Sequence, residues 1–408
     1  MAFISGKNFM VDIFGESHSR AIGAVVNGLK PGTPVDIAEI NAFLARRRPS
    51  AAVYSTARRE TDRAAILSGV LNGRATGAPI AMMIENADTR SADYEKLRTV
   101  FRPSHSDYAA FVKYGGYNDF RGGGQFSGRL TAALCAAGGI ALGVLKRRGI
   151  EITAYIAAVG GVKAASYRDA GTDIGRTLCG GKIREIKSSA YPLLDKSPET
   201  AIIEEIRAAS AAGDSVGGVI ECAVTGLPAG VGEPVYDGME GALAKMIFAI
   251  PAIKGVEFGA GFAAAEMRGS AANDAMYFNG GDGGTEFSDS AARGDSENSP
   301  PRFGDGTGKT VATRTNNNGG ITGGISNGMP VLFRTAVKPV PSIALEQDTV
   351  DIESGKNTKL VISGRHDSCI VPRAVPVIEA AAACVILDLL YTGEKDAAFS
   401  HMRTKRKK

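Results

Sequence analysis

The sequence has few cysteines, and this shortage limits the kinds of site that it can build. Its five cysteines are scattered, with no C-x-x-C pair and no regular spacing. This pattern argues against a disulfide framework and against a thiolate zinc site. Residues 1–10 contain no apolar core of signal-peptide length, and no apolar run approaches the length of a membrane span. We therefore expect a cytoplasmic protein with reduced thiols, without a metal centre and without a membrane partner.

Net charge is also small, because 47 lysines and arginines face 43 aspartates and glutamates. A net charge of +4 does not by itself indicate a nucleic-acid partner. One alternative is an anion-binding module that holds RNA through the basic tail at residues 401–408. The sequence argues against it, since no predicted strand carries the interleaved aromatic and basic residues that bind single-stranded RNA.

Glycine, by contrast, is abundant, with 52 among 408 residues and no collagen period. This abundance predicts many tight turns and close approaches of the backbone to a ligand. Hydrophobic periodicity predicts strands and helices without a regular βαβ order, which favours an α+β fold. Strands are expected at residues 9–14, 21–26, 66–70, 79–84, 151–159, 215–224, 330–337 and 360–362, and helices at 37–48, 128–148, from 198, 237–250 and 377–391.

A polar stretch at residues 280–318 interrupts this pattern. It is rich in Gly, Ser, Asp, Asn and Thr, and we expect a long surface loop. Within it, residues 304–310 imitate a nucleotide-binding P-loop. Phe303, however, occupies a position where that motif needs glycine, and no apolar strand precedes it. We therefore assign no nucleotide to this stretch.

Three of the four histidines lie in short polar segments, each beside glycine, arginine or an acid. They are His18 in residues 15–18, His105 in residues 102–105 and His366 in residues 364–367. Histidine is the side chain that exchanges a proton near neutral pH. One such residue is more often an ordinary loop histidine. Three together, beside clustered arginines, indicate proton transfer next to an anion.

Two further patterns suggest where that anion binds. Three consecutive glycines precede the predicted helix at 128–148, with Ser127 at its expected N-cap and Arg121 and Arg129 on either side. Backbone N–H groups at such a turn form a phosphate cradle, although a flexible connector has the same composition. Residues 46–48 are all arginine at a predicted helix end. They either complement the helix dipole or bind the anion, and spacing alone does not decide.

Taken together, these segments resemble the chorismate synthase family. The matching motifs are residues 14–18, 46–49, 102–108, 113–115, 121–124, 213–218 and 364–376, in the family's order. The resemblance covers nearly the whole chain apart from the polar loop and the tail. It implies one domain over residues 1–400, built as a β-α-β sandwich with helices between two mostly antiparallel sheets, and a homotetramer.

The resemblance also implies a reaction in the shikimate pathway of aromatic amino acid biosynthesis. The enzyme would be a lyase that catalyses 1,4-anti elimination of phosphate from 5-enolpyruvylshikimate 3-phosphate to give chorismate. It would require reduced FMN, although the reaction has no net redox change. NADPH would be needed only if the protein reduces its own flavin.

Roles for individual residues follow from the same resemblance. His18 would protonate the departing phosphate, His105 would supply a proton at the flavin or stabilise its anionic reduced form, and Asp367 with Ser17 would act near flavin N5. Arg48 and Arg129, together with Arg365, would bind the substrate's phosphate and carboxylates. Contacts with the flavin or its reductant are expected at Gln125, Phe126, Ser127, Pro251, Ala252, Gly323, Lys338, Pro339, Val340, Pro341, Ser342, Arg365 and, for NADPH, Arg47.

The chain departs from the family pattern at several of these positions. Residues 125–129 read Gln-Phe-Ser-Gly-Arg where Arg-Ser-Ser-Ala-Arg is common, which removes one cation near the flavin. Val53 replaces a second NADPH-associated arginine, Ser19 a glycine and Pro251 an asparagine. A rival reading is a flavin-binding structural or regulatory protein without elimination chemistry. Such a protein would be expected to lose His18, His105 or Asp367, and all three are present.

Overall fold

Two five-stranded antiparallel sheets and eight α-helices account for most of the regular structure that the computed structural model describes. The described residues are 4–48, 62–86, 91–167, 178, 180–279, 310–362 and 367–405. The strands are β1 Ile4–Ser5, β2 Met10–Gly15, β3 Ala21–Asn27, β4 Ala65–Ile66, β5 Val70–Leu71, β6 Arg74–Ala75, β7 Ile80–Glu85, β8 Glu151–Val159, β9 Val162–Lys163, β10 Gly218–Thr225, β11 Ile253–Phe258, β12 Met276–Asn279, β13 Thr310–Thr313, β14 Ile321–Thr322, β15 Ile325–Ser326, β16 Val331–Val337, β17 Gln347–Asp351 and β18 Lys356–Leu360. The α-helices are α1 Ile37–Ala45, α2 Asp107–Tyr114, α3 Thr131–Arg147, α4 Gly180–Ser188, α5 Glu199–Ala211, α6 Met239–Phe248, α7 Gly269–Ala272 and α8 Val371–Lys405.

The two large sheets have the strand orders β1-β2-β3-β7-β4 and β11-β16-β10-β8-β9. Every pairing within them is antiparallel. β10 lies at the centre of the second sheet, and both of its faces are buried. Cys222 belongs to the main core, whereas Ala223 packs with Tyr155 and Tyr167 in a second apolar cluster. Because both faces of β10 are buried, its residues are nearly all apolar instead of alternating with polar ones.

The long helices α3 and α8 lie between the two sheets. α3 packs on β2, β3 and β7 of the first sheet, α8 packs on β8 and β10 of the second, and the two helices pack on each other. Small residues set their separation, since a Cβ atom at Gly138 would lie 2.5 Å from Cα of Ala380. Periodicity predicted an α+β fold and the family resemblance implied a β-α-β sandwich, and the architecture confirms both.

The same two helices correct a prediction about composition. Residues Gly128–Arg147 and Val371–Glu394 have mean hydropathies of 1.6 and 1.9, so both are long and apolar enough to cross a membrane. The expectation that no apolar run approaches that length was therefore wrong. These windows are 67% and 94% buried inside the protein. Their apolar residues form the core of the sandwich, as in many helices covered on all sides.

Helix boundaries differ from the predictions at two sites. α1 begins as expected, with the Asp36 carboxylate accepting a 2.7 Å hydrogen bond from the backbone N of Ala38. It ends at Ala45, so the arginines at 46–48 follow the helix instead of forming its last turn. The helix expected at residues 237–250 is α6, which begins two residues later, at Met239. Its N-cap is Gly238, without a side-chain cap, and Asp237 instead pairs with Lys7 at 2.6 Å.

Strand boundaries differ in the same way. The strand expected at residues 66–70 is two short strands, β4 and β5, which belong to different sheets. Residues 310–318 of the predicted polar loop are well bonded: β13 pairs with β12, and the Asp274 carboxylate accepts hydrogen bonds from the backbone N of Asn317 and Asn318. The rest of that stretch, residues 280–309, lies outside the described residues.

Candidate active site

Ser17 and His18 lie in the tight turn that joins β2 to β3. The hydroxyl of Ser19 closes this turn, because it accepts from the backbone N of Glu16 at 2.9 Å and lies 2.8 Å from the carbonyl O of Ala21. The ring of His18 packs edge-on against Tyr94, with centroids 5.1 Å apart. The backbone N of Ser17 donates to the carbonyl O of Gly124 at 3.1 Å. The turn is therefore attached to the glycine triplet.

The glycine triplet brings the first two sequence-predicted histidines to one place. Gly122, Gly123 and Gly124 all have positive φ angles. A Cβ atom at Gly122 would lie 2.5 Å from Nδ1 of His18, and one at Gly123 would lie 3.0 Å from Cε1 of His105. Consecutive Cα atoms are only about 3.8 Å apart. Two imidazoles therefore contact one short loop at adjacent residues, where only glycine fits.

His105 is held by a buried ion pair. Its Nδ1 lies 2.6 Å from Oδ1 of Asp107, which begins α2. Arg102 binds the same carboxylate through two side-chain nitrogens, at 2.7 and 2.8 Å. Burial lowers the pKa of His105 below its usual value of 6.5; Asp107 opposes this shift, while Arg102 and Lys338 reinforce it. His105 is therefore neutral near pH 7.

The segment after β16 packs against this histidine. Nζ of Lys338 donates to the carbonyl O of Ser104 at 2.5 Å and to its hydroxyl at 2.8 Å. Arg102 donates to the hydroxyl of Ser342 at 3.4 Å. The backbone N of Lys338 also donates to the carbonyl O of Ala252 at 2.9 Å. Several residues expected to hold the flavin thus lie next to the His105 segment, namely Ala252, Lys338 and Ser342, with Pro251, Pro339, Val340 and Pro341 between or beside them in sequence.

A second cluster is built around the buried carboxylate of Asp62. Arg47 donates to its Oδ2 at 2.7 Å, and Arg129 pairs with its Oδ1. Both guanidinium groups are about 5% exposed, and the Asp62 side chain is fully buried. Burial alone would raise the pKa of Asp62, but Arg47, Arg129 and Arg373 lower it below its usual value. The cluster thus carries more positive than negative charge.

Asn86 connects this cluster to the His18 turn. Its side-chain oxygen accepts from Nε of Arg129 at 2.9 Å. Its amide nitrogen donates to the carbonyl O atoms of Glu16 and Ser19, at 3.1 and 2.8 Å. One short side chain therefore ties a predicted substrate-binding arginine to the loop that carries the predicted acid.

Arg48 and Asp367 lie at the other side of the cluster. Arg48 donates to the carbonyl O of Asp62 at 3.2 Å, and its buried Nε has no hydrogen-bond partner among the described residues. It also lines a cavity of about 230 Å³ beside Pro372. Asp367 pairs with Arg373, whose Nε donates to the carbonyl O of Arg47 at 3.1 Å. Arg365 and His366 lie outside the described residues.

Comparison with known proteins decides the family. The chorismate synthase family model matches residues 9–391. The chain is 43% identical to the chorismate synthase of Dehalococcoides mccartyi over 94% of its own length and 95% of the relative. It is 42% identical to that of Thermococcus kodakarensis over 94% of its length and 96% of the relative. The chain belongs to the chorismate synthase family.

A solved structure agrees with this assignment. A crystal structure of chorismate synthase superposes with a TM-score of 0.68 and 27% sequence identity, covering 95% of this chain and 92% of the other. The two chains therefore share the fold over nearly their whole length. Membership in the chorismate synthase family makes the chain an enzyme of the lyase class.

The remaining predicted residues lie just before α3 and in the β14–β15 hairpin. Phe126 packs against Tyr114, with ring centroids 6.4 Å apart, and Gln125 precedes it in the same 3₁₀ segment. Ser127 is an N-cap as predicted, because its hydroxyl accepts from the backbone N of Arg129 at 3.3 Å. Gly323 lies at the exposed tip of the β14–β15 hairpin, with open space where a Cβ would be.

Sequence reasoning missed three residues that organise this candidate site. Asp107 was quoted within a motif without a role, although its spacing two residues after His105 was an available signal. Asp62 and Asn86 gave no signal, because a lone acid or amide is common in any loop. The structure also accounts for Ser19, the departure from the family glycine, since its hydroxyl bonds the turn that carries His18.

Proposed function

We propose that this enzyme converts 5-enolpyruvylshikimate 3-phosphate into chorismate and inorganic phosphate, as a step of the shikimate pathway. One carbon–oxygen bond breaks to release phosphate, and one ring hydrogen leaves as a proton. The observation that carries the proposal is the contact of His18 and His105 with adjacent glycines, beside a cluster with excess positive charge. Elimination of phosphate needs proton exchange and anion binding in one place.

Charge supports an anionic substrate. Arg47, Arg129 and Arg373 all lower the pKa of the single carboxylate at Asp62, and Arg48 lies beside them with a buried Nε that has no partner among the described residues. A substrate with one phosphate and two carboxylates would complete this arrangement, because guanidinium binds both groups with paired hydrogen bonds. We assign Arg48 and Arg129 to these contacts, with Arg365 as a further candidate by family resemblance.

The proton-exchanging residues have distinct surroundings. His18 lies close enough to Asp119 to lower the pKa of that carboxyl group, although burial raises it and hydrogen bonds from Arg121 are the larger lowering effect. We assign His18 to protonation of the departing phosphate. By family resemblance, His105 would exchange a proton with a bound flavin, and Asp367 with Ser17 would help that flavin to take up the proton that the substrate loses.

The residues present fit a flavin mononucleotide. Lys338 is half-buried, and burial together with the nearby charge of Lys254 lowers its pKa. An anionic ligand bound beside Lys338 would raise that pKa again and stabilise the charged ammonium group. Lys338, Ser342 and Ala252 would hold the flavin from one side, and the open space at Gly323 admits a ligand without a clash. When bound in its reduced form, FMN supplies an electron transiently and recovers it, so that no net redox change occurs.

Three further expectations belong to this proposal and rest on family resemblance. The enzyme acts in the cytoplasm, it assembles as a homotetramer, and it takes reduced FMN from an external source unless Arg47 serves NADPH.

An anaerobic assay tests the proposal. Purified protein, chemically reduced FMN and the enolpyruvyl substrate are incubated without oxygen, and released phosphate and chorismate are measured. We expect both products in equal amounts, and none with oxidised FMN alone. Adding NADPH to oxidised FMN then decides whether the protein reduces its own flavin. Absence of phosphate release with reduced FMN would overturn the proposal.

A further inference from the structure

Asp107 connects the imidazole of His105 to the guanidinium group of Arg102. Its Oδ1 lies 2.6 Å from Nδ1 of the imidazole. Its Oδ2 accepts from Nε and from the backbone N of Arg102, at 2.7 and 3.1 Å. Arg102 and Asp107 are 5% and 8% exposed, so water competes little for these bonds. The carboxylate therefore has one available orientation.

Two contacts at Nδ1 of His105 bear on which ring nitrogen carries the proton. Oδ1 of Asp107, at 2.6 Å, requires a proton on Nδ1, whereas Nη2 of Arg102, at 3.1 Å, would donate to an unprotonated Nδ1. The contact with Asp107 is the shorter one, and we take it to govern. A carboxylate oxygen and an imidazole nitrogen 2.6 Å apart repel each other unless a proton lies between them. Hydrogen bonds from Arg102 and His105 hold the pKa of Asp107 well below its usual value, although burial alone would raise it. The proton therefore belongs to Nδ1 of His105. In a neutral ring the other nitrogen, Nε2, then has a free electron pair.

We propose that Asp107, locked by Arg102, is a positioning residue that fixes His105 as the Nδ1–H tautomer and presents Nε2 as a proton acceptor at the glycine triplet. Nε2 faces that triplet, since a Cβ at Gly123 would lie 3.2 Å from it. The inference rests on the proposed function for its meaning in catalysis. In catalysis it sets the order of proton transfers at His105. The neutral ring first accepts a proton at Nε2, and only the charged ring then donates one.

The charges around His105 support its role as a proton acceptor before reaction. Three charged groups face the ring: Arg102 and Asp107 from its own segment, and Lys338 from the segment after β16. The two cations and burial disfavour a second proton, while Asp107 partly offsets them. Asp107 therefore both orients the neutral ring and stabilises the charged one that forms after proton uptake.

Asp107→Asn is the informative change. Arg102 donates twice to Oδ2 and once, through Nη2, to Oδ1, so the carboxamide oxygen is expected at the Oδ2 position. Its NH₂ group then displaces Nη2 of Arg102 and faces Nδ1. That nitrogen must then accept a hydrogen bond, so the ring switches to the Nε2–H tautomer. Ser106→Ala is the matched control, since the Ser106 hydroxyl lies 3.4 Å from the same nitrogen and caps no helix.

Nitrogen-15 NMR of histidine-labelled protein, without flavin or substrate, reads the tautomer directly. The chain has four histidines, and a His105→Gln variant assigns the signal. We expect Nδ1–H in the wild type and in Ser106→Ala, and Nε2–H in Asp107→Asn. An Nε2–H signal in the wild type would overturn the proposal even if Asp107→Asn failed to fold.

Turnover then links the tautomer to catalysis. Asp107→Asn should lower kcat about 100-fold, the range typical of a lost acid–base group, with little change in KM. Loss of turnover with an unchanged tautomer would also contradict the positioning role. If the wild type has no elimination activity, the proposed function fails while the NMR result still decides the tautomer.

Discussion

A methyl group at Gly122 would lie 2.5 Å from Nδ1 of His18 and 2.5 Å from Oγ of Ser17. Real Cβ atoms do not approach other atoms so closely, and the φ of +58° at Gly122 is itself strained for any other residue. The glycine triplet is therefore less a flexible connector than a close packing surface for both imidazoles.

Gly122→Ala should both destabilise the protein and reduce its activity. The added methyl group must displace His18 or Ser17, and overpacking of this kind costs about 1–3 kcal/mol. Gly128→Ala is the control, because nothing lies within 4 Å of a Cβ there. Thermal unfolding and anaerobic phosphate release measure the two effects. Equal behaviour of the two variants would show that the triplet does not constrain His18.

His18→Ala should lower turnover while leaving flavin affinity nearly intact. The ring contacts Gly122 and Tyr94, whereas Lys338 and Ser342, two of the residues assigned to the flavin, lie beside His105. Loss of a general acid costs about 10²–10⁴-fold in rate. Single-turnover kinetics and titration with reduced FMN under anaerobic conditions separate the two quantities. A collapse of flavin binding would mean that His18 is not the acid.

Asp62→Asn should be strongly destabilising. It removes the carboxylate shared by Arg47 and Arg129 and leaves two buried cations without compensation, a change that costs about 3–5 kcal/mol. Asparagine suits the positive φ of +36° at this position, so that backbone strain does not confuse the result.

The control is Asp348→Asn, which breaks the pair with Lys359 at the surface, where both side chains are more than half exposed. Such an exposed pair contributes little to stability. Denaturant unfolding of both variants provides the comparison. A similar small loss in each would show that Asp62 is dispensable to the arginine cluster.

Stability should fall as the pH drops below about 6.5, and His105 should account for part of the loss. The pKa of His105 is lowered in the folded protein, mainly by burial. Between that lowered pKa and the ordinary value of 6.5, the unfolded chain binds a proton that the folded protein does not. Acid therefore favours unfolding in this window, with a slope of up to about 1.4 kcal/mol per pH unit.

His105→Gln should reduce this pH dependence, because glutamine does not titrate yet still has an N–H to donate to Asp107. Denaturant unfolding of both proteins at pH 7.5 and pH 5.5 measures the difference. An identical pH dependence in the two proteins would mean that His105 is not held neutral.

Apolar periodicity marks most of the strands and helices that form the core, so the α+β class was predictable from the residues, whereas the sandwich arrangement followed only from the family resemblance. The motifs also located His18 and His105 in polar turns. Their meeting was not predictable, because 86 residues separate them and the contact depends on three left-handed glycines. The buried pairings of Arg47 and Arg129 with Asp62 were hidden for a similar reason, since no spacing rule links an arginine to a distant acid.

Helix ends were less predictable than helix existence. Asp36 and Asp237 are each followed by a glutamate three residues later, as in a helix-capping motif. Only Asp36 caps a helix, because Asp237 pairs with Lys7 across the fold. Tertiary ion pairs of this kind compete with local capping, and the local sequence does not contain them.

Excision of residues 280–309 should leave the fold intact if the gap is closed correctly. Asn279 and Thr310 are register partners at the open end of the β12–β13 ladder, so a two-residue Asn-Gly turn can join them. We expect an unfolding temperature within a few degrees of the wild type and retained phosphate release. A wider excision through Thr313 is the matched comparison, because it removes β13 and the buried Thr313, which is 4% exposed. That variant should be clearly less stable. A narrow excision as damaging as the wide one would show that residues 280–309 contribute to the folded structure.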